Sequence, residues 1–275
     1  MTVTLDSYYT IGKLHLYCED YVYQGWEPFP YAILADGCSA SPNSDIGARL
    51  LVLNARRVLP QFALAVGDKA RRDALHWRLG RRIVRYAARQ VRELGLSPEV
   101  LDATLLVAWS DGATVHVHLY GDGCIATRQS DGGVAAIRVE YAENAPYYLS
   151  YLLDSERCAL YREAVGDPSM VQTVTYLNEA GASARRERCD VPTVFDFSLA
   201  SFSTVAVATD GLDSFLNVET GERVDLLEIA RAVLDFSDCQ GAFVKNRLQK
   251  MLIEFGKQRL FNLDDIGLSA FVKMA

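Results

Sequence analysis

The chain has 275 residues, half of them hydrophobic and 23% charged, enough for one large core with no Pro/Gly/Ser-rich linker to divide it. A net charge of −7 gives no reason to expect nucleic acid as a partner, and no apolar run approaches the roughly 20 residues of a membrane helix. The first residues lack the basic and apolar segments of a secretory signal, and six scattered cysteines without a Cys-x-x-Cys pair read as reduced thiols, so a cytoplasmic protein is expected.

In chain order, Ser7 to Tyr23 reads as a first strand pair or meander containing Glu19 and Asp20. Taken alone, two adjacent acids are a solvent-facing strand end. Gly25 to Pro30 is a turn-rich connection, and Tyr31–Ala35 is a buried strand that stops at Asp36-Gly37. Asn43 or Ser44 can cap a helix from about Asp45 to Val58. A second helix runs from about Asp68 to Leu94, with Leu75, Leu79, Ile83, Ala87 and Val91 as its apolar stripe. Its eight arginines read as a solvated face, with an acidic partner as the alternative.

Ala103–Trp109 and Ala113–Tyr120 form a hairpin around Asp111-Gly112, and Cys124–Arg128 with Val134–Val139 forms a second one in the same meander. His116 and His118 alternate onto one face, but no third ligand accompanies them, so a plain strand face outweighs zinc binding. Tyr141 to Asp167 loosens into a tyrosine-rich stretch, either a mobile flap over a site or a connection with a covering helix. Val171–Leu177 and Val191–Phe197 read as strands flanking a turn region at Arg185–Arg188, and Ser203–Thr209 delivers Asp210. Helices over about Asp225–Phe236 and Gln240–Phe255 precede Asp264, Asp265 and a closing strand, Ile266–Lys273. Strands and helices alternate in blocks, which argues an antiparallel α+β layered fold rather than βαβ units.

Apolar runs end in carboxylates at Asp36, Asp122 and Asp210, and further acids stand at Glu19, Asp20, Asp264 and Asp265. Any one Asp-Gly is first of all a turn signal. Several buried carboxylates in one place repel one another and lose hydration, unless divalent cations with oxygen ligands sit between them.

The ordered series Glu19-Asp20, Asp36-Gly37, Gly121-Asp122, Asp210-Gly211-Leu212 and Asp264-Asp265-Ile266 resembles the motifs of the metal-dependent protein phosphatases, the type 2C or PPM family, in their bacterial single-domain form. The resemblance covers nearly the whole chain. It implies one phosphatase-like domain over residues 1–275, with a variable flap or connection at about 141–200. The implied fold is a four-layer α-β-β-α sandwich, two antiparallel sheets flanked by helices. Two Mg²⁺ or Mn²⁺ ions are implied, and a third where Asp122 matches the acid that holds a weaker site. By the same resemblance Asp36 bridges two metals and the Gly37 carbonyl binds one, Asp210 and Asp264 hold one ion, and Asp20 serves the other through water. Glu19 and Asp265 are further candidate ligands. A metal-bridged hydroxide would then hydrolyse phosphoserine or phosphothreonine, with no protein nucleophile.

Three positions depart from the family pattern. His15 stands where an arginine usually grips the phosphate; it and Lys13, two residues earlier and facing the same way on a strand, are the candidate phosphate contacts. The usual Asp-Gly-x-Gly-Gly is here Asp36-Gly37-Cys38-Ser39-Ala40, with Cys38 a small filler or an oxidation-sensitive thiol. Gly267 replaces a usual Thr or Ser. The expected partners are a phosphorylated protein and a cognate Ser/Thr kinase or its target, in signalling. The alternatives are a non-catalytic phosphatase-like module that recognises a phosphoprotein or kinase, and a hydrolase for a small phosphate ester with its site closed by Tyr147–Leu153.

Overall fold

The computed structural model describes residues 2–62, 69–166 and 171–274; the expected helix start at Asp68 lies outside them. Strand β1 (Val3–Thr10) pairs antiparallel with the last strand, β14 (Ile266–Lys273). Strand β2 (Asp20–Gly25) pairs instead with β3 (Tyr31–Asp36), Asp20 opposite Asp36. The strand pair expected over Ser7–Tyr23 is therefore corrected: β1 and β2 lie in different sheets, and residues 11–19 cross between them. The crossing passes tightly beneath the start of β14. A Cβ on Gly12 would fall 2.3 Å from the Asp264 carbonyl carbon, so only glycine fits there.

Side chains of β3 are buried on both faces. Ile33 and Ala35 pack toward the helices, and Ala32 and Leu34 toward the other sheet. A strand covered twice needs no polar alternation, hence its continuous apolar run. Its helical cover is α1 (Ser44–Val58) and α2 (Lys69–Glu93). The stripe Leu75, Leu79, Ile83, Ala87 and Val91 is buried as expected.

The hairpin of β4 (Leu105–Ser110) and β5 (Thr114–Tyr120) turns where the Ala113 and Thr114 amides donate to Asp111 Oδ1 at 2.8 and 2.7 Å. The next hairpin, β6 (Gly123–Gln129) with β7 (Val134–Tyr141), belongs to the other sheet, so the expected single meander is also corrected. The chain changes sheets at Gly121 and Gly123, whose φ values of 92° and 147° are strained for any residue with a side chain. A 3-10 turn (Leu149–Leu153) just after Tyr147 and Tyr148, and α3 (Ser155–Ala164), capped by Asp154, follow.

Strands β8 (Gln172–Asn178) and β9 (Gly181–Glu187) form a hairpin. Arg185 and Arg186 thus lie in a strand, not in the expected turn, which sits at 179–180. Exposed along nearly its whole length at a sheet edge, β9 has no apolar face to announce it. Strand β10 (Thr193–Ser198) returns to pair with β5, and β11 (Phe202–Ala208) runs between β14 and β6. Strand β12 (Phe215–Asn217), α4 (Leu226–Val233), α5 (Phe243–Lys257) and β13 (Leu260–Asn262) complete the chain before β14.

The outcome is a seven-stranded sheet in the order β1-β14-β11-β6-β7-β8-β9 and a five-stranded sheet in the order β10-β5-β4-β3-β2. Every strand pairing in both is antiparallel. Residues such as Leu34, Leu106, Val117, Val205 and Phe271 fill the space between the sheets. Helices α1 and α2 cover the five-stranded sheet, and α4 and α5 the seven-stranded one. The antiparallel α+β layering agrees with the block order of elements, and the four layers with what the resemblance implied. Among the described residues no helix is long and apolar enough to cross a membrane.

Candidate metal centre

Both sheets present acids at the same end. In the five-stranded sheet Asp20 opens β2 and Asp36 closes β3, directly across the ladder. In the seven-stranded sheet three neighbouring strands do the same: Asp122 precedes β6, Asp210 follows β11 and Asp264 lies just before β14. Strand pairing thus gathers five aspartates far apart in sequence.

The local fold leaves little freedom at these positions. The Gly37 amide donates to the Glu19 carbonyl at 3.3 Å, and a Cβ on Gly37 would lie 2.5 Å from Ser44 O. A Cβ on Gly211 would fall 1.7 Å from Asp265 O, so the turn carrying Asp210 sits directly on the backbone before β14. Ser214 locks the same contact: its hydroxyl donates to Gly211 O at 2.7 Å and accepts from the Leu263 and Asp264 amides at 3.1 Å. Thr209 Oγ1 donates to Asp20 Oδ2 at 2.7 Å and accepts from the Gly267 amide at 2.8 Å. A side chain on Gly267 would crowd that arrangement, since its Cβ would stand 3.2 Å from Asp20 Oδ2.

After these contacts are made, Asp20 Oδ1 and Asp210 Oδ1 remain buried with no hydrogen-bond partner. Unpaired buried acceptors are costly and rare. Burial first, and then mutual repulsion, hold the carboxyls above their ordinary range. Asp36 is raised well above it by burial and by Asp20, Asp210, Asp264 and Asp122. Asp20 is raised well above it by burial and by Asp265, Asp210 and Asp264, against the Thr209 hydrogen bond. Asp122 is raised by burial and by Asp210 and Asp264, and Asp210 is pushed up to about 6 by burial and Asp264. Asp264 is raised chiefly by burial. Oxygen donors, negative charge and unfilled acceptors together fit hard divalent cations.

The remaining candidates are engaged by neighbouring groups of the chain. Asp265, fully buried, accepts from the Gly12 amide at 2.7 Å and the Glu19 amide at 2.6 Å, so both oxygens peg the crossing loop. Glu19 is held by the hydroxyls of Ser39, at 2.7 Å, and Ser44. His15 points into the acids: Nε2 lies 3.3 Å from Asp264 Oδ1, and Nδ1 lies 3.1 Å from Asp265 Oδ2 and 3.7 Å from Glu19 Oε2. Burial lowers its pKa, but the three carboxylates outweigh that and leave it raised. His15, Asp264 and Asp265 also form the one compact group of metal-competent side chains among the described residues. Lys13 does not face the same way, because residues 11–19 are not a strand; its Nζ sits 5.6 Å from the Phe261 ring centre.

Sequence reasoning missed Thr209, Ser214 and Tyr148. The first two give no signal beyond a hydroxyl next to a turn. Tyr148 is buried beside Cys38 and Asp122, and burial raises its phenol. The segment over 141–164 is packed at 146–150, while α3 buries only Tyr161. Tyr147 and Tyr148 are buried, Arg157 pairs with Asp102 at 2.7 Å, and Ser150 donates to the same carboxylate at 2.6 Å. A short helix, α3, lies within this connection. His116 meets Asp196 at 2.7 Å and Asp111 at 3.2 Å, and His118 Nδ1 lies 3.2 Å from Nδ1 of His76 on α2; none of these residues lines the cleft beside the aspartates.

A cleft of about 200 Å³ opens beside the cluster, lined by Asp122, Asp210 and Asp264 together with Arg138, Asp213 and Arg223 among others. Arg138 is engaged by Asp213 at 2.9 Å and Glu140 at 2.6 Å.

A family model described as Protein phosphatase 2C matches residues 13–253. No curated protein matches the chain. Among solved structures, the serine/threonine phosphatase Stp1 from Staphylococcus aureus aligns with a TM-score of 0.58 at 10% identity, over 100% of this chain and 96% of that one. The Mycobacterium tuberculosis serine/threonine phosphatase PstP/Ppp aligns with a TM-score of 0.56 at 16% identity, over 100% of both chains. PppA of Pseudomonas aeruginosa, described as a key regulatory component of T6SS, aligns with a TM-score of 0.55 at 16% identity, over 100% of this chain and 99% of that one.

Proposed function

The chain belongs to the protein phosphatase 2C family, and from that premise we propose that it is a metal-dependent phosphatase of phosphoserine and phosphothreonine in proteins. The observation that carries this reading is the pair of buried, unpartnered oxygens, Asp20 Oδ1 and Asp210 Oδ1, within five converging aspartates. Asp20, Asp36, the Gly37 carbonyl, Asp210 and Asp264 would hold two divalent cations, and Asp122 would suit a third. Bound Mg²⁺ or Mn²⁺ supplies Lewis acidity, activating water and offsetting charge on the phosphoryl oxygens.

The chain's own part is positioning. Thr209 fixes the rotamer of Asp20, Ser214 fixes Asp264 against the Asp210 turn, and Asp265 pegs the loop that brings Glu19 and Asp20 to the cluster. Rigid donors of this kind keep the site from reorganising during reaction.

A protein substrate is favoured over a small ester. None of the residues 147–153 lines the cleft beside the acids, and the loop carrying His15 exposes Leu14 at 73%, Leu16 at 98% and Tyr17 at 54%. Apolar side chains standing at a site rim suit contact with another macromolecule. A cytoplasmic setting and a Ser/Thr kinase acting on the same substrates follow from this reading.

Hydrolysis of a phosphothreonine peptide with Mn²⁺ is expected from the purified protein and should be lost in Asp36→Asn. Full activity in that variant would overturn the reading. A second reading, a phosphatase-like module that binds without turnover, is favoured by one observation: His15 is enclosed by three carboxylates and offers no bidentate grip. Peptide binding without hydrolysis at any Mn²⁺ concentration would select it.

A further inference from the structure

The arginines of α2 do not spread evenly round a solvated helix. Arg78, Arg81, Arg82, Arg85 and Arg89 fall on one stripe, opposite the buried one, and line a groove of about 540 Å³ floored by Phe62 and Tyr86. The groove shares no residue with the aspartate cluster or its cleft. Like charges three and four residues apart on a helix repel each other, so the stripe costs stability where it stands.

The guanidiniums are organised, yet not neutralised. Arg78 and Arg82 lie over the Phe62 ring at 5.9 and 5.8 Å, and Arg82 and Arg89 over Tyr86 at 5.8 and 6.0 Å. Three of the five guanidiniums thus sit over aromatic rings, a contact that leaves a cation's charge uncancelled. Among the described residues none of the five pairs with a carboxylate, whereas Arg72 on the same helix pairs with Asp196 at 2.9 Å. Charge is also segregated along the chain. Residues 44–93 hold twelve of the 28 basic residues but four of the 35 acidic ones, a net +8, and leave −15 on the remainder.

We propose that this groove docks a carboxylate-rich segment of a partner protein. Planar guanidiniums in a row match successive carboxylates with two hydrogen bonds each. A short acidic segment can sit within the groove, whereas a nucleic acid or an anionic membrane would reach past it and meet the rest of a chain that is net negative and repels it. The proposal stands whether or not the aspartate cluster hydrolyses phosphoesters.

The test uses the full chain and a fluorescein-labelled peptide of alternating Asp and Glu, followed by anisotropy at rising salt. Wild type should bind, with affinity falling as salt rises, and Arg81→Glu/Arg85→Glu should weaken binding by about tenfold or more. Arg49→Glu/Arg92→Glu changes the same charge outside the groove and should weaken it much less. Circular dichroism checks the fold; should the reversal variant not fold, Arg81→Gln/Arg85→Gln carries the same expectation. Equal losses in the two reversal pairs would overturn the proposal, as would tighter binding of a single-stranded oligonucleotide or phosphatidylserine vesicles through the same arginines. Salt-sensitive self-association lost in the groove variant, without peptide binding, would instead assign the face to a second copy of this chain and overturn it too.

Discussion

Asp265 offers the sharpest test of how the site is built, because holding a loop and holding a metal predict different things. Its side chain is fully buried and each carboxylate oxygen takes a backbone amide, from Gly12 at 2.7 Å and from Glu19 at 2.6 Å. Asp265→Ala would leave both amides buried without acceptors, at about 1–3 kcal/mol each, so a loss of about 2–6 kcal/mol is expected. Asp265→Asn keeps one acceptor and should lose about half of that. Urea denaturation followed by tryptophan fluorescence, with excess EDTA throughout, measures this without any contribution from bound cations. If Asp265 served chiefly as a metal ligand, its removal would leave EDTA-treated protein about as stable as wild type, and that result would refute the peg.

Three further outcomes are expected. Gly211→Ala would place a Cβ 1.7 Å from a backbone oxygen and should destabilise by more than about 3 kcal/mol, seen as poor soluble yield or a large fall in Tm. Leu34→Ala, in the layer between the sheets, should cost about 2–5 kcal/mol in the same urea assay. Burial holds His118 down to about 3 and His76 well below its ordinary value. The unfolded chain therefore takes up protons first as pH falls. The His118 contribution to stability should be full above pH 6.5 and fall below it, by about 2 kcal/mol at pH 5, read as the difference in pH profile between wild type and His118→Phe in EDTA.

Much of the layering was legible because burial on two faces leaves a plain mark. Tyr31–Ala35 and Val205–Ala208 read as uninterrupted apolar runs, and α2 showed its stripe at every fourth residue. Sheet membership was not legible. Residues 8–23 and 113–139 both contain strands that neighbour each other in sequence yet pair in different sheets, and only glycines at 12, 121 and 123 hint at the crossing. Edge strand β9 was missed because it has no buried face.

The acids of the site could be gathered from sequence because an aspartate after a buried strand is an unusual place for charge. Their division of labour could not. That Asp264 lines the cleft while Asp265 turns both oxygens toward amides depends on the path of residues 11–19, more than 240 positions away. The same path sends Lys13 to Phe261 and His15 into the carboxylates, where a strand would have placed them together. The arginine groove needed the structure for a similar reason, since Phe62 joins it from the end of another helix.

Calorimetric titration of Mn²⁺ into EDTA-stripped protein tests the convergence of Asp20, Asp36, Asp210 and Asp264 most directly, with no substrate involved. At least two cations should bind per chain, with Asp36→Asn abolishing the tighter binding and Asp210→Asn removing one site. A wild type that binds no Mn²⁺ at millimolar concentration, or an Asp36→Asn variant that binds it as wild type does, would contradict a shared metal centre.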